Sequence, residues 1–291
     1  VRDARADSGL FDGVDAVIVL AAISNDPMGK AFAGPTLDIN QHSAVRIGEL
    51  AKAAGVRSLV FASSCSVYGA GGEHPKAESD PLDPLTDYAQ SKVQAESELE
   101  RCASSDFTVT CLRFATACGP SPRMRLDLVL NDFVATALTE RRLVILSDGT
   151  PLRPLIDTRD MANALIWAAE RPATNGGAFL TINAGSDDWN FSILELAKRV
   201  QNFYSGIEIE VNTSAPPDKR SYVVDFSQFR ERAPDAYPTR TLEDSIAAID
   251  RALEESLHQL KGFRDGPFIR LNILRKMRDA NVLDKELRWS N

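Results

Sequence analysis

The chain of 291 residues is 44% hydrophobic and 25% charged, a balance typical of a globular protein with a sizeable core. Its net charge is -8 and its basic residues are scattered, which argues against nucleic acid or a membrane surface as a partner. The longest early apolar run, residues 16–23, is far shorter than the ~20 residues that span a bilayer.

The spacing of cysteine and histidine argues against a metal site. The three histidines are far apart in sequence, and no two cysteines have the Cys-x-x-Cys spacing of zinc ligands. We therefore expect the four cysteines to be reduced thiols in a cytoplasmic protein. Cys65 lies within a run of serines, but a small apolar filler is the favoured interpretation.

The first part of the chain alternates between strand and helix patterns. Residues 14–20 form an apolar run that predicts a fully buried parallel strand. An amphipathic pattern predicts a helix over residues 37–54, and Gly55 follows it as a left-handed cap. Residues 58–62 and 107–114 predict two further strands. Such alternation indicates an α/β fold with a parallel sheet.

Hydroxyl, phenol and ammonium groups follow the second predicted strand. Ser64 comes just after strand 58–62, at the carboxyl edge of the sheet, where open α/β folds bind ligands. A helix over residues 88–104 puts Tyr88 and Lys92 on one face, one turn apart. A phenol has an unperturbed pKa near ~10, and a nearby ammonium favours its ionised form. The pair is predicted to transfer protons, although Tyr-x-x-x-Lys alone also fits an interface residue and a solvated charge.

The other predicted elements are shorter. The loop 69–87 has the length and position of a mobile lid beside a site. Residues 143–146 and 152–157 are predicted to form a hairpin around a turn at Asp148-Gly149. The remaining predictions are a strand over 178–183 and helices over 158–170, 193–203 with a capping box of Ser192 and Glu195, 241–260 and 269–285.

Two motifs together resemble a known enzyme family. A run Ser-Ser-x-Ser-Val-Tyr-Gly begins at Ser63, and the Tyr-x-x-x-Lys pair begins 24 residues after Ser64. The segment from Leu112 to Pro120 is similar to the family pattern Leu-Arg-aromatic-x-Asn-x-x-Gly-Pro. On these motifs the chain, from Val1 to about Tyr222, resembles the extended short-chain dehydrogenase/reductase family of NAD-dependent nucleotide-sugar epimerases and dehydratases.

The resemblance implies an α/β fold, with a Rossmann-type doubly wound parallel sheet and a smaller mixed α/β substrate-binding portion. Residues 1–120 would be a partial dinucleotide-binding domain, and residues 121–291 mainly the substrate portion, with some segments returning to the first domain. The family's glycine-rich turn has no counterpart, because no Gly-x-x-Gly-x-x-Gly occurs in the sequence. We expect that turn and the first strands in roughly sixty residues ahead of Val1, since half a sheet would expose an apolar edge. The alternative is a protein that lacks half of the nucleotide-binding unit.

The same resemblance implies roles for individual residues. The catalytic residues are Ser64, Tyr88 and Lys92. The cofactor is NAD, with NADP as the alternative, and its contacts are Leu20, Ala21, Ala22, Asn40, Ala62, Ser63, Tyr88, Lys92 and Phe114. The contacts to a nucleotide-sugar substrate are Ser64, Thr116, Asn131, Arg153, Asp218 and Arg220.

Residues 65 and 66 separate the subfamilies that the resemblance brings in. Dehydratases of the family follow the catalytic hydroxyl with Asp-Glu, and some epimerase/reductases have a Cys at the second of these positions, whereas this chain has Cys65 and Ser66. The pattern favours an NAD-dependent epimerase of a nucleotide-activated sugar, with a nucleotide-sugar reductase or dehydratase as alternatives. A non-catalytic dinucleotide sensor is the alternative of another class, and the presence of both Tyr88 and Lys92 argues against it. A homodimer is expected, because the family often pairs through the Tyr-x-x-x-Lys helix and the helix before it.

Overall fold

The computed structural model describes residues 1–5, 9–70, 72–214, 221–255 and 260–290. The strands in chain order are β1 Ala16–Val19, β2 Ser58–Ser64, β3 Gly72–Lys76, β4 Thr108–Phe114, β5 Thr116–Cys118, β6 Arg142–Ile145, β7 Leu152–Asp157, β8 Phe179–Ala184, β9 Asn190–Ser192, β10 Glu208–Val211 and β11 Tyr222–Val224. The α-helices are α1 Asp26–Ala31, α2 Ala33–Leu37, α3 Ser43–Ala53, α4 Asp87–Glu100, α5 Val129–Glu140, α6 Thr158–Glu170, α7 Ile193–Phe203, α8 Ser227–Arg232, α9 Leu242–Glu254 and α10 Arg270–Asp279.

A parallel sheet with the strand order β1-β2-β4-β8 lies at the centre of the fold. Because side chains alternate along a strand, neighbouring residues of β2 serve two separate cores. Leu59 and Phe61 pack with residues of α3 and α4, whereas Val60 packs with residues of α6 and α8. Helices therefore cover both faces, and the predicted doubly wound parallel sheet is confirmed.

The edge strand β1 differs from its prediction. Residues 14–20 were expected to be fully buried, but Ile18 is 41% exposed and Leu20 is 58% exposed. The reason is that β1 pairs with β2 alone among the described strands, so its other side has no neighbour there. The apolar composition indicated the strand correctly and its burial incorrectly.

A third core joins the later elements. It contains residues of α5, α7 and α9 together with Leu143 of β6 and Ile207. The predicted hairpin is wrong, because β6 pairs in parallel with β10, and β7 pairs with β5 and β9. The short connection between β6 and β7 suggested that they pair with each other, but each pairs with strands from other parts of the chain. The division at residue 120 stays a prediction.

The loop 69–87 is tied to the body of the protein, contrary to the mobile lid that was expected. It contains β3, which pairs in parallel with β11. The Glu78 carboxylate accepts hydrogen bonds from the Asn183 backbone N–H at 2.8 Å and from the Gln228 amide at 2.7 Å. These contacts join the loop to β8 and α8 and leave no free lid over residues 72–80.

Local signals placed most helix ends correctly. Gly55 has φ of 82°, as a left-handed cap requires. The capping box of Ser192 and Glu195 is present at the start of α7. The tail helix α10 packs on its own chain, with Leu271 and Leu274 against a small core around Ile23 and Met28. Among the described residues, no helix combines the length and apolar composition that crossing a membrane requires.

Candidate active site

A cavity of about 570 Å³ opens at the carboxyl ends of β2 and β4. The end of β2 supplies Ala62, Ser63 and Ser64 to its wall, and the end of β4 supplies Phe114. This is the edge at which parallel α/β sheets bind ligands, because strand ends and helix starts expose polar backbone groups there. Tyr88 and Lys92 line the same cavity from α4.

The start of α4 positions the Tyr88 phenol. Thr86 caps the helix by accepting a hydrogen bond from the Ala89 N–H at 3.2 Å, and its hydroxyl donates to Asp26 at 2.7 Å. Helix α1 packs so tightly on this turn that a Cβ on Gly29 would lie 3.2 Å from the Tyr88 nitrogen. The Tyr88 backbone is therefore held from two sides.

Lys92 lies one turn further along α4, inside the protein. Its ammonium donates to the carbonyl oxygen of Ala62 at 2.7 Å and lies 5.8 Å from the centroid of the Tyr88 ring. Burial lowers the pKa of Lys92 to about 8, although the Glu96 carboxylate acts in the opposite direction. An ammonium that is 2% exposed thus keeps its charge with the help of a carbonyl and a carboxylate.

Burial raises the pKa of the Tyr88 phenol, which disfavours the phenolate. Two neighbours oppose this effect, namely a hydrogen bond with Ser64 and the positive charge of Arg125. The sequence predicted a cation beside the phenol but assigned only Lys92 to that role. In the structure Arg125, which reaches the cavity from a distant segment, is a cation that lowers the pKa of Tyr88.

Ser63 and Ser64 are adjacent in the serine run but form hydrogen bonds in different places. Ser64 lines the cavity, and its oxygen accepts a hydrogen bond from the Ser66 N–H at 3.2 Å. Ser63 donates to Glu96 inside the protein. Cys65 is buried with its thiol on the Arg113 carbonyl at 3.1 Å, and burial raises its pKa. Cys65 is therefore a packing residue here, as the favoured interpretation held.

A buried network lies behind Tyr88 and Lys92. Arg113 of β4 donates to both carboxylate oxygens of Glu96, at 2.7 Å through Nη2 and 3.1 Å through Nε. Its third nitrogen donates to the Tyr68 hydroxyl at 3.1 Å, and that hydroxyl donates to Asn183 at 2.7 Å. Glu96 is one turn after Lys92, so this network joins α4 to β2, β4 and β8 directly below the site.

A second arginine–carboxylate pair, Arg125 and Asp127, also lines the cavity. Arg125 donates to both oxygens of Asp127, at 3.1 and 2.6 Å, and to the hydroxyl and carbonyl of Ser24. Asn25 donates to the same carboxylate at 2.6 Å. Burial tends to raise the pKa of Asp127, but the hydrogen bonds and charge of Arg125 outweigh it and lower that pKa.

Comparison with known proteins identifies the family. The family model described as "NAD dependent epimerase/dehydratase family" matches residues 1–185, more than half of the chain. This chain belongs to that family. Ser64, Tyr88 and Lys92, which lie within the matched range, all line the cavity.

Several relatives of this epimerase/dehydratase family member are sugar epimerases by name. UDP-arabinose 4-epimerase 1 of Arabidopsis thaliana is 25% identical over an alignment of 234 positions, which covers 72% of this chain and 54% of the relative. An uncharacterised UDP-glucose epimerase of Bacillus subtilis, YtcB, is 27% identical over 67% of this chain and 60% of its own length. The chain therefore spans little more than half the length of these relatives.

A solved structure of MoeE5 in complex with UDP-glucose and NAD has the same fold. It is 26% identical, with a TM-score of 0.73, and the match covers 84% of this chain and 81% of that one. A UDP-glucuronic acid 4-epimerase from Bacillus cereus, solved with UDP-glucuronic acid and NAD, is 23% identical with a TM-score of 0.75. At that identity the second likeness concerns the fold alone.

The cavity brings together most of the residues predicted for the site of this family member. Those that line it are Leu20, Ala22, Ala62, Ser63, Ser64, Tyr88, Lys92, Phe114, Thr116 and Arg153. Three predicted contacts, Ala21, Asn40 and Asn131, are not part of the wall. Asp218 and Arg220 lie outside the described residues.

Asn40 and Asn131 are buried behind the wall, where their amides bind the protein's own backbone. Asn40 accepts from the Ile23 N–H at 2.8 Å and donates to the Ile23 carbonyl at 2.9 Å. Asn131 accepts from the Gly119 N–H at 3.0 Å and donates to the Arg125 carbonyl at 3.0 Å. The direct ligand contacts predicted for these amides have no support in the geometry, and we assign both residues to positioning the loops that form the wall.

Sequence reasoning missed several wall residues, among them Ser24, Asn25, Asp26, Asp127, Met161 and Tyr222. Asn25 carried a signal, since Asn25-Asp26-Pro27 is typical of a capped helix start. The pairing of Arg125 with Asp127 carried none, because residues two apart in a loop have no fixed relation. No group of metal-ligating side chains is found among the residues that the structure describes.

Proposed function

We propose that the protein is an NAD-dependent epimerase that oxidises and re-reduces one carbon of a nucleotide-activated sugar. The observation that carries the proposal is the meeting of Ser64, Tyr88 and Lys92 on one cavity wall at the carboxyl edge of a parallel sheet. Relatives named as UDP-sugar 4-epimerases support a UDP-sugar as the substrate and its 4-hydroxyl as the reacting group.

The cavity has a wall that fits the nicotinamide end of NAD. Ala22 and Ala62 have small side chains, and the Phe114 ring, 5% exposed, offers a flat apolar surface beside them. Lys92 and Ser63 supply polar groups next to that surface. When bound, NAD supplies the acceptor and donor of the hydride.

The protein's own residues move the proton and orient the hydroxyl. Tyr88 accepts the proton of the sugar hydroxyl at its phenol oxygen and later returns it. Ser64 fixes the direction of that hydroxyl, and the buried ammonium of Lys92 favours negative charge nearby. Because burial disfavours the phenolate, the hydrogen bond with Ser64 and the positive charge of Arg125 help to make Tyr88 an effective base.

A dehydratase is the weaker alternative. Loss of water needs an acid and a base beside the hydroxyl, and the two positions that supply them in family dehydratases are Cys65 and Ser66. The Cys65 thiol contacts the Arg113 carbonyl, away from the cavity. The residues on this wall therefore suit reversible oxidation better than elimination.

Replacing the proposed base tests the function. Tyr88→Phe should lower kcat for interconversion of UDP-sugar epimers by about 10²–10⁴-fold, because general acid–base catalysis contributes that much. The affinity for NAD, measured by fluorescence titration, should stay within about twofold of wild type. Tyr204→Phe is the matched control, because it removes a phenol that hydrogen-bonds Asp250 outside the cavity. A wild-type protein that binds NAD and converts no UDP-sugar would instead support a sensor.

We also propose a cytoplasmic homodimer. The four cysteines are free and buried in the structure, which suits a reducing compartment. Light scattering of the purified protein should give twice the mass of one chain, and a monomer at micromolar concentration would contradict the dimer.

A further inference from the structure

A small core flanks one stretch of the cavity wall. Its buried members are Ile23, Met28 and Phe32, whose side chains are 5%, 2% and 3% exposed. Ile23 and Met28 bracket residues 24–27, and all four of those residues line the cavity. A core that fixes Ile23 and Met28 therefore fixes both ends of this wall segment.

The wall segment 24–27 is tied to the helix that carries the proposed base. Asp26 accepts a hydrogen bond from the Thr86 hydroxyl at 2.7 Å, and Thr86 caps the start of α4. Gly29, in the helix that this segment begins, is so close to Tyr88 that a Cβ there would lie 3.2 Å from the Tyr88 nitrogen. A shift of the segment and of α1 would therefore change the surroundings of the Tyr88 phenol.

The small core is completed by residues from the far end of the chain. Leu271 and Leu274 of α10 pack against it, as does Leu287 beyond that helix. The guanidinium of Arg278 lies 5.6 Å from the centroid of the Phe32 ring. Because each of these contacts removes apolar surface of the core from water, α10 stabilises the position of α1.

The same stretch of chain is anchored at its other end to the later part of the protein. Phe263, which is 1% exposed, belongs to the core of α5, α7 and α9. Arg264 donates to Asp132 of α5 at 2.6 Å. Helix α5 itself lines the cavity through Val129. Residues 263–287 thus join two elements that both border the cavity.

We propose that residues 263–287, the C-terminal brace, are a positioning element of the active site that holds segment 24–27 and α1 against the start of α4. None of the described brace residues lines the cavity, so the brace acts through α1 rather than on a ligand. Leu271 and Leu274 are three apart in a helix and therefore share the face that acts. The consequence for turnover rests on the proposed function.

Amide hydrogen exchange and steady-state kinetics of the full-length variant Leu274→Ala test the brace. The amides of Met28, Gly29 and Phe32, whose hydrogen bonds lie within residues 25–32, should exchange about tenfold faster, because loss of the leucine favours local opening of α1. The kcat for UDP-sugar epimers should fall roughly three- to tenfold as Tyr88 loses its fixed position. Leu138→Ala is the matched control, since Leu138 is a partly buried leucine of the α5 core outside the cavity wall.

The two measurements separate positioning from stability. Leu138→Ala should lower the thermal midpoint without changing either α1 exchange or kcat well below that midpoint. Leu274→Met keeps the side-chain volume and should restore both values to near wild type. Unchanged α1 exchange in Leu274→Ala would overturn the brace, and faster exchange with unchanged kcat would overturn its role in positioning. If wild type converts no UDP-sugar, the proposed function is wrong, and the exchange rates alone decide whether the brace holds α1.

Discussion

Two bidentate arginine–carboxylate pairs, one in the lining of the cavity and one behind it, differ in depth. Arg113 and Glu96 have side chains that are 7% and 6% exposed and lie behind Tyr88 and Lys92. Arg125 and Asp127 are 16% and 14% exposed and line the cavity itself. The deep pair holds four secondary-structure elements together, whereas the shallow pair lines the cavity. The same type of ion pair thus lies in the protein interior in one case and at the cavity surface in the other.

Breaking the deep pair should have the largest effect on stability. Arg113→Met leaves the Glu96 carboxylate buried without its partner, and such a change costs about 3–5 kcal/mol of the free energy of unfolding. The double variant Arg113→Met with Glu96→Leu should recover much of that loss, because an apolar pair has no charge to desolvate. Urea denaturation followed by circular dichroism measures both values.

The shallow pair provides the control. Arg125→Met should cost only about 1–2 kcal/mol, since water can reach Asp127 at the cavity wall. Equal costs for Arg113→Met and Arg125→Met would contradict the difference in depth on which the comparison depends.

The buried ammonium of Lys92 should make the free energy of unfolding depend on pH. The pKa of Lys92 is about 8 in the folded protein against 10.5 for an ordinary lysine. Between these values the unfolded chain binds a proton that the folded chain does not, so the free energy of unfolding rises with pH. Between pH 8 and 10.5, the free energy of unfolding of the wild type should rise by on the order of 2–3 kcal/mol more than that of Lys92→Met. Comparison with that variant cancels the other titrating groups.

The matched control for this pH series is Lys285→Met, which removes an exposed ammonium at the other end of the chain. A wild-type curve parallel to that of Lys92→Met from pH 8 upward would mean that Lys92 titrates normally. Burial would then have no measurable effect on the pKa of the Lys92 ammonium.

The smallest expected effect concerns the packing of α1 on Tyr88. A Cβ at Gly29 would lie 3.2 Å from the Tyr88 nitrogen and 3.3 Å from its Cβ, so Gly29→Ala must displace the base slightly. We expect a loss of about 1 kcal/mol in stability and a roughly three- to tenfold lower kcat. Thermal unfolding and initial rates measure the two effects.

Gly34→Ala is the control for the same substitution, because the nearest atom, the Glu286 Oε2, is 3.7 Å away. It should be neutral or stabilise α2 slightly, since alanine favours helices over glycine. If Gly29→Ala likewise left stability and kcat unchanged, the tight contact between Gly29 and Tyr88 would not matter for activity.

Local spacing determined what the sequence could predict. Tyr88 and Lys92 share a face because they are four apart in a helix, and Ser64 reaches the cavity because it ends a parallel strand. The left-handed cap at Gly55 likewise depends only on neighbours along the chain. These features need no knowledge of distant partners.

Only the tertiary structure decided which distant segments meet. The Glu96–Arg113 pair, the approach of Arg125 to Tyr88 and the packing of Leu271 near Ile23 join residues that no sequence periodicity relates. The same holds for the partners of β6 and β7, where a hairpin pattern gave way to pairing with distant strands. Side-chain spacing is set by the local backbone geometry, whereas burial, charge compensation and strand partners depend on how the whole chain packs.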